Sequence, residues 1–422
     1  MLRSTWHKGV ILGLPLMALA LAGTWYFVST SRASSLLERG RRALAQSNWT
    51  QADRFADLLD RGGHGDYAHL LRGESWLCRA RLAGDAAGHW LSTGGDSYQL
   101  ALGELAQVRN EGRLATDAAV LGAESLVHLG ERRFAAQVLD TVLQRNPDHT
   151  EAHRWLAAIY IDLNSPALAI AHLREWARLD PHNGRPHRWI GWFLAKDFGK
   201  FDEAIEAYGE ASRRELEPDL RAQVVKELAE TLINGPAEYQ AALETLDQYP
   251  GERDQAEVLT LRAQCLSSLG RPSEAIQALE AALRAQPELP QGLQLRAKMF
   301  LSDGEAKAAV PLLEAAVRID AHDHISRQLL MQAYKQLGDD ARSEQQRQLL
   351  EEARIYKDRL TKLHDRALRD PWDAGVRNQL ADLCSKLNRK AEAQMWREAA
   401  AACAANQSDS SFGPSFSLQE RN

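Results

Sequence analysis

Seven turn residues constrain what this chain can fold into. Gly130, Asn164, Gly199, Gly235, Gly270, Gly304 and Gly338 each follow an amphipathic stretch, and the steps between them are 34, 35, 36, 35, 34 and 34 residues. Glycine, and less readily asparagine, takes the left-handed conformation that ends a helix. A constant period in this range is the sequence mark of a repeat array. Upstream of each rung lies a helical pattern such as "EVLTLRAQCLSSLG", and downstream a second one such as "SEAIQALEAALRAQP". Pro147, Pro181, Pro250 and Pro287 then stop the second helix. Each unit therefore predicts helix, tight turn, helix and proline turn.

Small residues recur where the two helices of a unit must approach. Ala135, Ala169, Ala204, Ala275 and Ala309 open the second helices, and Gly191, Ala263 and Ala297 sit in the first. A large side chain at these places would force the pair apart. In the unit Thr150–Pro181, Ala157, Tyr160, Ala169 and Pro181 fall at the eighth, eleventh, twentieth and thirty-second positions. These residues resemble the tetratricopeptide repeat pattern. The resemblance covers residues 116 to 400, and more weakly Ser35–Leu59 and Tyr67–Arg109. It departs at Ser343, which replaces the alanine of the unit His324–Leu350, and at the family's tryptophan slot, which holds His153, His187, Leu259 and Leu293.

The resemblance implies an all-α fold, a right-handed α-solenoid of stacked antiparallel helix pairs. Residues 31–115 read as degenerate N-terminal repeats with an inserted loop from Leu82 to Asp96, residues 116–340 as the regular array, and 341–405 as a long helix with a capping repeat. The step from Gly338 to Asn388 is 50 residues, and the surplus lies in one charged stretch with no glycine or proline to interrupt it. The Ser-rich tail 406–422 reads as disordered.

Ahead of the array, Gly9 to Val28 carries no charge and is long enough to span a bilayer as a helix. Trp25 and Tyr26 sit at its far end, where aromatic residues favour the interface. The alternative is a signal peptide cleaved near Ala20-Leu21-Ala22. The run continues past that site, which suits an anchor: a single-pass membrane protein attached through residues 9–28, with its soluble domain extracytoplasmic. Such anchored arrays are similar to bacterial proteins that assist envelope assembly, translocation or cytochrome maturation.

Chemistry finds little support. The net charge of −6 gives no basic field for nucleic acid. The four cysteines, Cys78, Cys265, Cys384 and Cys403, lie far apart with no C-x-x-C pair. His149 and His153, four apart, and His322 and His324, two apart, read as turn and packing residues rather than metal ligands. There is no G-x-S-x-G, P-loop or G-x-G-x-x-G. No catalytic residue, metal, cofactor or small-molecule substrate is expected.

What remains is a binding surface. In the family the first helices line a concave side, and its contact positions fall here on Arg154, Arg185, Arg188, Trp192, Lys196 and Lys298. A cation cluster beside an aromatic suits an acidic segment or a free carboxylate. The expected function is a membrane-tethered scaffold holding a peptide or protein partner in that groove. The alternatives are an assembly hub built on the helix at 342–369, or an accessory subunit of an enzyme supplied in trans. The triplet His-Arg-Trp occurs twice, at residues 153–155 and 187–189, in the same three positions of adjacent units. Its arginines point away from the apolar stripe.

Overall fold

The computed structural model describes residues 29–87, 95–109, 112–249 and 255–404. Among these the regular structure is helical, apart from one isolated parallel bridge between Asn183 and Glu215. The described residues fall into two compact units, 29–147 and 148–404.

The first unit stacks three helix pairs: α1 (29–45) with α2 (Trp49–Arg61), α3 (Gly65–Ala87) with α4 (Gly95–Leu105), and α5 (Arg113–His128) with α6 (Arg132–Arg145). Its core is leucine and alanine, with Leu59, Leu70, Leu71 and Leu105 wholly or almost wholly buried. Ion pairs between partly exposed arginines and more deeply set carboxylates tie the first helices together. Arg41 of α1 donates to both carboxylate oxygens of Glu74 on α3 and reaches Asp117 on α5 at 3.3 Å. Arg81 of α3 forms a two-pronged pair with Glu124 of α5, at 2.6 Å on each prong. The loop expected from Leu82 to Asp96 is shorter than the sequence suggests: α3 runs on through Ala87 and α4 begins at Gly95, because Leu82, Ala83, Ala86 and Ala87 are strong helix formers. Residues 88–94 lie outside the described residues.

The second unit holds seven pairs: α7 (Thr150–Asp162) and α8 (Pro166–Leu179), α9 (Arg185–Lys196) and α10 (Phe201–Ser212), α11 (Pro218–Asn234) and α12 (Tyr239–Asp247), α13 (Gln255–Ser268) and α14 (Pro272–Ala285), α15 (Pro290–Ser302) and α16 (Ala306–Ile319), α17 (His324–Gln336) and α18 (Asp340–Arg369), α19 (Ala374–Lys386) and α20 (Lys390–Ala404). The first helices touch their successors directly, α9 on α11, α11 on α13, α13 on α15 and α15 on α17, and so build one continuous layer. Ala169, Ala204, Ala263, Ala275, Ala297 and Ala309 have no exposed surface. A side-chain methyl is all that these crossings admit. Asp323, Asp339 and Asp373 cap α17, α18 and α19 with a side-chain oxygen, and proline opens α8, α11, α14 and α15, where its missing N–H costs nothing.

The ladder residues take the left-handed conformation as expected, with φ between 49° and 88° at Gly130, Asn164, Gly199, Gly270, Gly304 and Gly338. Gly235 does not. Its φ is −94°, and Ala237 at φ 59° makes the left-handed turn instead. Gly235 is glycine for a different reason: a Cβ there would stand 2.4 Å from Cβ and 2.5 Å from Cγ of Phe201.

The expectation of a single-pass membrane protein is corrected. Among the described residues no helix is long and apolar enough to cross a membrane. The two longest make the reason plain: α3 carries Asp66, Arg72, Glu74, Arg79 and Arg81, and α18 is charged along its whole 30 residues. Residues 9–28 and the tail 406–422 lie outside the described residues.

Candidate functional site

The repeated triplet places its three side chains in three directions. His153 is buried against α8, its Nδ1 3.1 Å from Nδ1 of His172, whose ring stacks on Tyr160. Arg154 and Arg188 lie over the tryptophans that follow them, 5.0 Å and 5.2 Å from the ring centres of Trp155 and Trp189. An arginine over its neighbouring indole, one repeat apart, is what the duplicated triplet builds.

The histidine pair has a measurable consequence. Burial, with His153 adding to it, pushes His172 down from 6.5 to about 4. The unfolded chain therefore takes up this proton first as the pH falls. Stability is fully present above pH 6.5 and is lost progressively between 6.5 and about 4. The loss should reach about 1–2 kcal/mol after allowing for partial exposure. Denaturant titrations at several pH values would show it, and His172→Gln should flatten the profile over that window.

Arg154 and Arg188, with Arg185, rim one cavity of about 220 Å³. Its apolar wall comes from Ala157, Ala158 and Ile161 of α7, Trp176 of α8, Trp189 of α9 and Leu220 of α11. The three arginines are not bare cations. Arg154 bonds Glu151 one turn back on its own helix at 2.5 Å, and 38% of its side chain remains exposed. Arg185 pairs with Glu217 and holds that carboxyl below its usual range. Arg188 forks onto Glu227 of α11 at 2.6 and 3.1 Å, and only 13% of each side chain is exposed. Burial pushes the Glu227 carboxyl up, against the pull of Arg188.

The other expected groove residues stand elsewhere. Trp192 is half-buried, packed edge-on against Trp189 and Phe193 outside the cavity wall. Lys196 reaches Glu230 of α11 at 3.4 Å. Lys298 is exposed on α15, four repeats along from α7. Sequence reasoning placed Trp189 at the edge between core and groove and missed Trp176, Leu220 and the carboxylates Glu217 and Glu227. The carboxylates carried a signal: they lie 32 and 39 residues after their arginines, one repeat step give or take a helical turn. A second, open hollow of about 550 Å³ holds Arg213, Arg214 and Arg221. Those cations are already engaged, the first two by Glu210 and the third by the carbonyls of Ser212 and Arg214.

Helix pairs of this length, joined by left-handed turns and stacked through their first helices, define a helical-repeat protein. A tetratricopeptide repeat family model matches residues 120–184 and 260–324, so these two segments carry that repeat; proteins built on it generally mediate protein–protein interactions. The match does not extend to an N-terminal anchor or to a bacterial subtype. Comparison with curated proteins returned no match. Among solved structures, one of pilF from Pseudomonas aeruginosa is 21% identical, covering 51% of this chain and 96% of its own, with a TM-score of 0.40. YrrB, described as a TPR protein with an unusual peptide-binding site, is 16% identical over 45% of this chain and 96% of its own, TM-score 0.36. A human IFIT1 dimer with PPP-AAAA is 15% identical over 89% of this chain and 95% of its own, TM-score 0.37. At such identities and scores none of them bears on what this chain binds.

Proposed function

We propose that residues 148–404 form a peptide- or protein-binding module whose recognition site is the cavity between α7, α9 and α11. The observation that supports this reading is the pairing of an apolar wall, with Ile161, Trp176, Trp189 and Leu220, and a rim of three arginines. Such a site suits an apolar anchor residue next to an acidic one. The anchor fills the wall, and the acidic group competes for Arg154 and Arg185. Their present partners are exposed glutamates, and exposed pairs of this kind are worth only about 0.2–1 kcal/mol, so exchanging them costs little. Arg188, locked to Glu227, positions the wall and does not change partners. A binding module, not an enzyme, is the reading proposed. On α18 Ile355 is 63% exposed and Leu368 37%, but two such residues thirteen apart among charged side chains are not an apolar stripe and favour no assembly role.

Selection from a random-peptide library against the full chain tests the site. Enriched peptides should pair an apolar residue with Asp or Glu. They should bind the Ile161→Trp variant, whose indole fills the cavity, at least tenfold more weakly, a difference of about 1.4 kcal/mol. Arg154→Ala should lose the acidic preference alone. Equal recovery on wild type and Ile161→Trp would remove the assignment.

A further inference from the structure

The C-terminal repeat of the second unit folds back onto its first. Arg377, on α19, has no exposed surface. Its Nη2 donates to the carbonyl of Leu163 at 2.8 Å and reaches Oγ of Ser165 at 3.4 Å, more than 200 residues earlier in the chain. Its Nη1 donates to the carbonyls of Asp370 and Asp373 at 3.2 and 3.3 Å. Leu163 is the C-cap of α7 and Ser165 the N-cap of α8. The guanidinium thus caps, from a distant repeat, the carbonyl of Leu163 at the end of α7. A second contact lies beside it. His364 of α18, edge-on to Trp396 of α20, stands 3.8 Å from Asp197 at the end of α9.

We propose that this junction is a reversible latch: α19 docks Arg377 into the α7–α8 turn and holds the last turn of α7, which carries Ile161 of the cavity wall, in its closed position.

The chemistry of the junction argues for reversibility. Arg377 is a buried cation whose bonds all go to neutral oxygens, and its Nε has no partner. Oδ2 of Asp197 is likewise buried and unsatisfied. A contact meant to stay shut is better made from apolar side chains, as within the α19–α20 pair, where Leu380, Cys384 and Trp396 pack together. When the junction opens, water satisfies the guanidinium, the Asp197 carboxylate and the Leu163 carbonyl. Hydration therefore offsets much of what is lost, which is not true of any apolar repeat–repeat contact in the same unit. The link to the cavity is short. Ile161, whose carbonyl accepts from Asn164, is two residues from Leu163.

Hydrogen exchange on the full chain, followed by mass spectrometry, tests this without any ligand. In Arg377→Ala the segment 160–169 should exchange about tenfold faster, with α13 to α16 unchanged, because only the local opening is affected. Arg377→Lys should fall between, keeping the charge but losing the fork. If Arg377→Ala does not fold, His364→Ala, at a half-exposed position, serves in its place, with an acceleration of about threefold confined to 160–169 and 194–199. Unchanged exchange at 160–169 would overturn the latch. So would equal acceleration of every helix in 148–404, since Arg377 would then be part of the common core. The readout is separate from peptide binding, so failure here leaves the cavity assignment standing, and failure of the peptide selection leaves the latch standing.

Discussion

Glu227→Ala is expected to destabilise the second unit by about 3 kcal/mol, more than Arg188→Ala does. The two residues form one largely buried pair between α9 and α11, with 13% of each side chain exposed. Their fates after truncation differ. With Arg188 gone, Glu227 keeps the burial that raises its carboxyl and loses the charge that opposed it, and a carboxyl can relieve such a site by taking up a proton. With Glu227 gone, Arg188 cannot shed its charge and stays buried without a partner. Arg188→Ala should therefore cost about 1–2 kcal/mol at neutral pH, and less in acid, where Glu227 is protonated more cheaply. The double change to methionine should come close to wild type, since apolar groups of similar volume often replace a buried pair without loss. Urea titrations of the four proteins give the values. If Glu227→Ala is as stable as wild type, the pair does not hold α9 to α11.

The second large effect is steric. Gly235→Val should cost about 3 kcal/mol and Gly235→Ala about 2 kcal/mol, because any Cβ meets Phe201 at the start of α10. Gly235 is not in the left-handed region, with φ −94° and ψ −94°, so the contact with Phe201 rather than a positive φ is the main source of the penalty. Phe201→Ala in the Gly235→Ala background should then recover part of the loss, and a double-mutant cycle should show coupling above 1 kcal/mol, the range expected of residues in direct contact. Additive effects would mean that the glycine is needed for its backbone after all.

These two sites also mark how far the sequence could be read. The repeat was legible because a left-handed helix end tolerates so few residues that glycine and asparagine recur at the period of the fold. Gly235 kept that period while serving another purpose, and only the position of Phe201 reveals it. The same limit governs the cavity. Arg154, Arg185 and Arg188 were visible as groove positions of single units. Trp176 comes from a second helix, and Leu220, Glu217 and Glu227 from the following units, so their part depends on how neighbouring repeats are offset. Lys298 was chosen by the same position rule and stands exposed on α15, four repeats along from α7. Arg377 had no signal at all: its partners are backbone oxygens more than 200 residues away, and backbone oxygens have no sequence.

The return of α19 to the α7–α8 turn changes how residues 148–404 come apart. In a stack where each repeat touches only its neighbours, the terminal repeat has half the contacts of an inner one and frays first. Here the terminal repeat is gripped on two sides, by α18 behind it and by the opening repeat ahead of it. Fraying from that end must break both grips together. The second grip thus protects the terminal repeat itself, while α13 to α16 keep the neighbour-by-neighbour behaviour of a linear stack.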